Sequence, residues 1–287
     1  MPRKVVILFG AKVRCFVGLL LFLAFEASAD LRVMTLNAEW LWTPYDQKVD
    51  GDKFNAGDPM PADYEQEIAF YRHIVDENQV DILAISEIEN EEVARDLSKG
   101  LRGNWLVAFK QGRDTATGQD VAILSRLPLV KASVRDFGFP GARVKGLHKA
   151  KRLSKLVGAR YMYRDSVLSI LTAHVLSRRN DSRIKSLRRH AQLKALGVLA
   201  REERLESDAT LTLGDLNDVL GSPGIDALKR ESGLESVFEN CGRVLLSDRE
   251  VRDAIDHIFY AGLTCRQVRP IDLQQHSDHT AILAVFD

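Results

Sequence analysis

Short runs of hydrophobic residues, each bounded by polar or glycine-containing segments, recur along the chain. Seven of these runs are rich in Val, Ile, Leu and Thr and predict β-strands: LRVMTL, DILAIS, VAILSR, SVLSILTAHV, TLTLGD, DAIDHIFY and HTAILAVF. Several are nearly continuous in apolar residues, which is typical of strands in sheets that are covered on both faces. The pattern therefore predicts a core built from β-sheets.

Apolar residues at helical spacing lie between some of these strands. Residues 62–78 place Ile68, Tyr71 and Ile74 on one side of a predicted helix. Residues 182–203 form a longer apolar stripe, and a polar residue among 180–182 could cap its start. Ser222 and Pro223 are typical of a further helix start. We find no linker rich in Pro, Ser or Gly, so we expect residues 30–287 to form one α/β or α+β domain.

The first 29 residues have the three parts of a secretory signal peptide. Basic residues are followed by the uncharged apolar run FVGLLLFLAF and then by Ala27-Ser28-Ala29, an A-x-A cleavage pattern. A spanning helix needs about 20 apolar residues, so an uncleaved anchor is the less favoured alternative. We expect a soluble protein, exported to the periplasm or the extracellular space after cleavage near Ala29, with no stable membrane association and no predicted protein partner.

Composition and cysteine content agree with a folded, exported chain. The sequence is 45% hydrophobic and 28% charged, which excludes a disordered protein. Beyond the signal it holds Cys241 and Cys265, and an even number in an oxidising compartment favours a disulfide. Two buried free thiols are the alternative. Neither cysteine lies in a Cys-x-x-Cys motif or a Cys/His cluster, so a zinc site is not expected.

The net charge is zero, but the charge is unevenly placed. Residues 143–189 contain fourteen Lys or Arg and only two acidic residues, Asp165 and Asp181. Such a local excess favours a phosphate-rich partner, although a solvated helix face would look similar.

Polar residues that bind metals or transfer protons occur at or near the ends of six predicted strands. They are Asn37, Glu87, His174, Asp215 with Asn217, Asp256, and Asp278 with His279. Each alone is compatible with a turn or a structural role. Their recurrence predicts a single polar site, provided that the strand ends converge on one edge.

The residue types of this set indicate the chemistry. Carboxylate and amide oxygens without cysteine favour a hard cation, Mg²⁺ or Mn²⁺. Histidines beside carboxylates supply acid–base groups, and the combination suits metal-dependent hydrolysis of a phosphoester. The sequence has no G-x-S-x-G, Walker loop or G-x-G-x-x-G motif, which disfavours a serine hydrolase, a kinase and a dehydrogenase.

The order of the motifs TLNAEW, AISEIEN, DVAILSRLPL, TAHVLSR, TLGDLND, AIDHIF and SDHTAI resembles the endonuclease/exonuclease/phosphatase superfamily, the DNase I-like proteins. The resemblance covers residues 31–286. It implies a four-layered sandwich of two packed mixed β-sheets flanked by helices, with metal-dependent phosphoester hydrolysis at one edge.

Roles follow from the resemblance motif by motif. Glu87 would be the principal Mg²⁺ carboxylate, with Asn37 nearby and Asp278 assisting. Asp215 would activate water, Asn217 would hold the phosphate, His279 paired with Asp256 would contact it, and His174 would be a phosphate ligand or acid. A phosphate-binding side chain from mid-chain would come from Arg160, Tyr161 or Tyr163. Asp218 matches no role and is interpreted as a turn residue. The sequence shows no carboxylate partner for His174.

The substrate is less well determined than the chemistry. The basic stretch favours an exported nuclease that acts on DNA or RNA. Trp40 and Trp42 could stack on bases at the mouth of the site or be packed aromatics. A phosphatase or phosphodiesterase for small or lipid phosphoesters is the alternative, supported by the neutral overall charge.

Overall fold

The computed structural model describes residues 30–45, 59–113, 117–130 and 133–287. The predicted signal peptide, residues 1–29, lies outside the described residues, as do residues 46–58 between the first strand and the first helix. Within the described part of the chain, no helix combines the length and apolar character needed to cross a membrane.

The described chain alternates strands and helices. The strands are β1 (Leu31–Leu41), β2 (Ile82–Ile88), β3 (Leu106–Phe109), β4 (Asp120–Ser125), β5 (Gly141–Ala142), β6 (Lys151–Arg152), β7 (Leu156–Tyr163), β8 (Ser166–Ala173), β9 (Ala209–Asp215), β10 (Glu235–Ser236), β11 (Asp256–Ala261), β12 (Cys265–Asp272) and β13 (Thr280–Phe286). The helices are α1 (Pro61–Glu77), α2 (Glu91–Lys99), α3 (Arg183–Arg204), α4 (Pro223–Ser232), α5 (Val237–Asn240) and α6 (Asp248–Asp253), with a 3₁₀ turn at Gln274–His276.

Two large mixed sheets organise the molecule. The first has the order β12-β13-β1-β2-β4-β3, and the second has the order β10-β11-β9-β8-β7. Only β1–β2 and β8–β9 pair in parallel within these sheets, and the other neighbours are antiparallel. A short hairpin, β5–β6, lies apart from both sheets.

The sheets pack face to face with helices on their outer faces. One apolar cluster fills the space between the sheets, for example Val33 against Leu211 and Ile258. A second cluster joins α1 and α2 to the first sheet, and a third joins α3 and α4 to the second. This arrangement is the four-layered sandwich that the resemblance implies, because alternate residues of each buried strand face opposite layers.

All seven predicted strands are present, and the two long predicted helices are shifted by one residue. Ser182 caps α3 by accepting a hydrogen bond from the amide of Lys185, and Ser222 caps α4 ahead of Pro223. The β7 and β12 strands were not predicted from the sequence. Pro270 and charged residues break the apolar pattern of β12, which forms one edge of its sheet.

A disulfide joins Cys241 to Cys265, with an S–S distance of 2.10 Å, which confirms the predicted pairing. Cys241 follows α5 directly after β10 of the second sheet, whereas Cys265 begins β12 of the first sheet. The bond therefore cross-links the two sheets at the edge where β10 and β12 lie.

Replacing both cysteines with serine is expected to lower the free energy of unfolding by about 3 kcal/mol, since the bond closes a loop with a sequence separation of 24. Urea unfolding of the oxidised protein, the reduced protein and the Cys241→Ser/Cys265→Ser variant measures this difference. The reduced protein should match the variant. Equal stability of variant and oxidised protein would show that the bond does not constrain the unfolded chain.

Candidate functional site

The topology brings the six predicted strand ends to one edge of the sandwich. The parallel strands β1 and β2 deliver Asn37 and Glu87 there, and β8 and β9 deliver His174 and Asp215. The antiparallel strands β11 and β13 start at the same edge, where Asp256 lies opposite Asp215 in register and His279 directly precedes β13. Pairing direction within each sheet, together with the packing of the two sheets, therefore explains why residues distant in sequence form one cluster.

Asp215 lies at the centre of this cluster. The side-chain amide of Asn37 donates to Asp215 Oδ2 over 3.1 Å and to Glu87 Oε1 over 3.0 Å. His174 Nε2 lies 3.4 Å from Asp215 Oδ2 and 3.6 Å from Glu87 Oε1. The carboxylates that face His174 are thus Asp215 and Glu87, and this pairing was not predicted from the sequence.

Glu87, His174 and Asp215 could hold a metal ion, because one ligand atom of each lies within 4.8 Å of the others. Burial raises the pKa of Glu87, and burial together with the charge of Asp256 raises the pKa of Asp215. Burial and the positive charges of Lys155 and His279 lower the pKa of His174 well below its ordinary value, which favours the neutral imidazole that ligates metals. Two buried carboxylates beside a neutral imidazole fit a divalent cation, since a cation relieves the cost of burying their charge.

A second acid–base pair lies on the opposite side of Asp215. His279 Nδ1 is 2.5 Å from Asp256 Oδ2, and His279 Nε2 is 3.9 Å from Asp215 Oδ2. Burial disfavours the charged form of His279, but the hydrogen bond and charge of Asp256, with Asp215 and Asp278, outweigh it and raise its pKa to about 10. His279 is therefore held as an imidazolium whose Nε2 faces the cluster.

Asn217 holds Asp215 in place. Its backbone amide donates to Asp215 Oδ1 over 2.9 Å, and its side-chain amide donates to Asp215 Oδ2 over 3.0 Å. Asn217 has a φ of 48°, in the left-handed region that tolerates asparagine better than most residues. The turn after β9 thus orients the central carboxylate, and the phosphate-holding role of Asn217 stays a prediction.

The edge of the first sheet carries unusual backbone conformations. Glu39, Trp40 and Glu87 have φ values of 44°, 69° and 62°. The pairing register of β1 shifts between Asn37 and Leu41, beside these residues. Conformations of this kind cost of order 1–3 kcal/mol each and cluster at functional sites.

A family model matches most of the chain. The model of the Endonuclease/Exonuclease/phosphatase family matches residues 34–279, which include all the residues of the cluster. The chain belongs to the endonuclease/exonuclease/phosphatase family. Membership places it among hydrolases that act on phosphoesters, and the family resemblance of the sequence is confirmed.

Solved structures share the fold of this endonuclease/exonuclease/phosphatase family member at low identity. A family protein from Leptotrichia buccalis is 13% identical, with a TM-score of 0.58 over 90% of this chain and 99% of that chain. The human Nocturnin catalytic domain with bound sulfate is 14% identical, with a TM-score of 0.56 over 90% and 94%. A Bacteroides thetaiotaomicron mannosyl-6-phosphatase is also 14% identical, with a TM-score of 0.56 over 90% and 99%. No curated protein matches the chain significantly by sequence.

The structure shows where Asp278 and Asp218 lie. The side chain of Asp278 is 74% exposed, and its Oδ1 is 3.6 Å from His279 Nε2, so its role beside the metal stays a prediction. Asp218 is not a plain turn residue, since it is buried with its Oδ2 3.5 Å from Arg189 Nε. Arg189 also binds Asp181 over 2.8 Å. The buried ion pair between Asp218 and Arg189 therefore supports the turn that carries Asn217.

The structure does not bring Arg160, Tyr161 or Tyr163 to the cluster. Leu156 pairs with Ala173 next to the site, so β7 runs away from the site edge towards Tyr163. Arg160 binds Glu203 and Glu206 over 2.8 Å and 2.5 Å, and Tyr161 is fully buried between the sheets. The structure therefore places these three residues away from the cluster, and a phosphate-binding role for any of them stays a prediction.

Sequence reasoning missed Lys155 and Gln119, which lie beside the cluster. Lys155 Nζ donates to Gln119 Oε1 over 2.9 Å and lies 3.4 Å from His174 Nδ1, and Gln119 Nε2 donates to Glu87 Oε2 over 2.6 Å. Each residue directly precedes a strand that runs antiparallel to a site strand, β7 for Lys155 and β4 for Gln119. A polar residue directly before a predicted strand could have identified Gln119. The same signal could not identify Lys155, because β7 was not predicted from the sequence.

The two tryptophans near the site differ in exposure. Trp42 is 4% exposed and belongs to the packed interior. Trp40 is half-buried, and its ring centroid lies 5.2 Å from that of Trp42. Only Trp40 therefore retains the surface that a stacking contact with a base requires.

Proposed function

We propose that this chain is an exported, metal-dependent phosphodiesterase that cleaves DNA or RNA. The observation that supports it is an exposed basic surface next to the site, here called the basic face. Its residues are Arg143, Lys145, Lys149, Arg178, Arg179, Arg183 and Arg188.

The basic face is one continuous surface formed by two segments. A Cβ placed on Gly146, between β5 and β6, would lie 3.0 Å from Leu187 Cδ1, so the hairpin packs on the start of α3. The side chain of Gln192 on α3 also donates to the carbonyl of Arg152 over 2.9 Å. The backbone amide of Arg178 donates to Asn217 Oδ1 over 3.3 Å, which connects the face to the site. A polyanion bound on this face would pass beside Asp215.

The residues of the cluster divide the proposed reaction among them. Glu87, His174 and Asp215 would hold Mg²⁺ or Mn²⁺, and the bound ion would stabilise negative charge on the phosphate. Asp215, a buried carboxylate oriented by the side-chain amides of Asn37 and Asn217, would accept the proton of the attacking water. His279 would donate from Nε2 to a phosphate oxygen, because Asp256 holds its Nδ1 side. Asn217 would hold the phosphate once the substrate displaces its contacts.

Export is also part of this proposal. The disulfide between Cys241 and Cys265 is typical of proteins that fold in oxidising compartments. The signal-peptide pattern of residues 1–29 supports the same location, the periplasm or the extracellular space.

The direct test offers the mature protein closed and linearised plasmid DNA, RNA, a phosphodiester dye ester and phosphomonoesters, with Mg²⁺ and with chelator. Nucleic-acid cleavage that stops with chelator supports the proposal. Turnover of monoesters without cleavage of nucleic acid would replace the nuclease by a phosphatase for small or lipid phosphoesters. One structural neighbour is a mannosyl-6-phosphatase, so a phosphatase for small phosphoesters is the alternative that this test must include.

Removing two charges of the basic face, Arg179→Ala with Arg183→Ala, is expected to weaken DNA binding and lower the slope of log affinity against log salt by about 2, one per lost phosphate contact. Binding measured by fluorescence anisotropy between low and physiological salt gives this slope. The matched control removes two exposed charges on α2, Arg95→Ala with Lys99→Ala, and should leave the slope unchanged. If both variants show the same slope of log affinity against log salt, the basic face does not bind the substrate.

A further inference from the structure

A cavity of about 380 Å³ opens beside His279, on the side of the site away from the basic face. Asp256, Asp278 and His279 line it next to the cluster, and its other walls include Leu246, Pro270 and Ile282. Its volume lies in the range of small-molecule pockets, roughly 300–1,000 Å³. Any group that fills it would be adjacent to a phosphate at Asp215.

Acidic side chains outnumber basic ones around this cavity. Glu250, Asp253 and Asp278 contribute carboxylates, here called the acidic rim. Arg249 also lines the cavity, with its Nε 3.5 Å from Asp253 Oδ2, and Glu250 Oε2 accepts a hydrogen bond from the amide of Ser247. The short helix α6 that carries Glu250 and Asp253 has no buried residues and is held at its start by a capping box between Ser247 and Glu250. Asp256 Oδ1, from the wall shared with the site, is buried and has no hydrogen-bond partner within the described residues.

The two sides of the site thus differ in charge. In the second sheet β9 carries Asp215, with β8 and β7 on one side and β11 on the other. The basic face lies with β8 and α3, and the acidic rim lies with β11 and α6. Phosphates are attracted to the first side and repelled from the second.

We propose that this cavity receives the terminal nucleoside of a DNA or RNA strand, so that the enzyme acts from strand ends; the inference rests on the proposed nuclease function. Aliphatic walls bury the sugar and base, and rim carboxylates accept hydrogen bonds from base amines or sugar hydroxyls. The rest of the strand extends over the basic face. An interior nucleoside is excluded, because the next phosphate would lie against the acidic rim.

The first test compares a linear single-stranded oligonucleotide with the same sequence closed into a circle. The linear strand is expected to release mononucleotides stepwise. The circle is expected to be cleaved at least about a hundredfold more slowly, because it has no terminal nucleoside and each of its nucleosides is followed by a further phosphate. Equal rates on both would overturn the inference and leave the nuclease proposal intact. Cleavage of neither would overturn both.

The second test fills the cavity with Leu246→Trp and, from another wall, Ala254→Phe. The ratio of kcat/KM for thymidine 5′-(p-nitrophenyl) phosphate to that for methyl p-nitrophenyl phosphate is expected to fall about tenfold or more in each variant. Leu205→Trp, at an exposed leucine that ends α3, is the control and should keep the wild-type ratio. Thermal unfolding identifies a variant that fails to fold, and an unchanged ratio in either folded variant would overturn the inference.

Discussion

The Asp215→Asn variant is expected to turn over phosphodiesters at least about a hundredfold more slowly than the wild-type protein, because general acid–base groups contribute roughly 10²–10⁴ to the rate. Asparagine keeps the shape of the side chain but cannot accept a proton from water at neutral pH. It also removes one of the two charged carboxylates of the group that could hold a metal ion. The contacts from Asn37 and Asn217 depend on the same carboxylate.

Steady-state hydrolysis of a phosphodiester dye ester in saturating Mg²⁺ measures this loss. Asp226→Asn, an exposed carboxylate in the first turn of α4, is the matched control and should keep wild-type turnover. Circular dichroism separates loss of chemistry from loss of fold. Near-normal kcat in a folded Asp215→Asn variant would remove Asp215 from the mechanism.

The His279→Ala variant is expected to show a loss of similar size, at least about a hundredfold in kcat. His279 is the imidazolium that faces the cluster, and its ring is fixed by the contact between Nδ1 and Asp256 Oδ2. Alanine removes the donor and leaves Asp256, a buried carboxylate, without its cationic partner. The loss should appear in kcat, because the donor acts on charge that develops in the transition state.

Asp256→Asn provides a second measurement on the same pair. Because Asp256 is the main group that raises the pKa of His279, this variant should move the alkaline limb of the pH–rate profile to lower pH. The alkaline limb moves in this direction because His279, with a lower pKa, loses its proton at a lower pH. His73→Ala, an exposed histidine on α1, should change neither kcat nor the profile. A wild-type profile for Asp256→Asn would contradict the assigned pairing.

Much of the fold could be predicted because a buried strand can be recognised from its own residues, as a short apolar run. The seven predicted strands are nearly continuous apolar runs, and residues such as Ile123 and Leu213 have no exposed surface. The missed β3 is apolar but only 4 residues long. The missed β7 and β12 lack a continuous apolar run, because Gly158 and Arg160 interrupt β7 and Pro270 interrupts β12. Edge strands tolerate such residues because one of their backbone edges stays unpaired by the sheet.

The same limit applies at the site. A phosphate-binding side chain from mid-chain is expected at Arg160, Tyr161 or Tyr163. These residues lie further along β7, whereas Lys155, directly before that strand, faces His174. Strand direction decides which end of a strand meets the cluster, and direction depends on pairing with neighbours far away in the sequence. The buried role of Asp218 likewise depends on Arg189, a partner on another element.

The family, most strands of the core, the disulfide partners and the chemical types of the cluster could be predicted from the sequence, since these depend on local pattern and on the order of short motifs. Tertiary structure was needed to bring Glu87, His174 and Asp215 within reach of one metal ion and to leave Asp278 exposed beside His279. It also separated a basic side of the site from an acidic one. Distances and charge balance between elements arise only when sheet pairing and packing bring those elements together, and no local pattern encodes them.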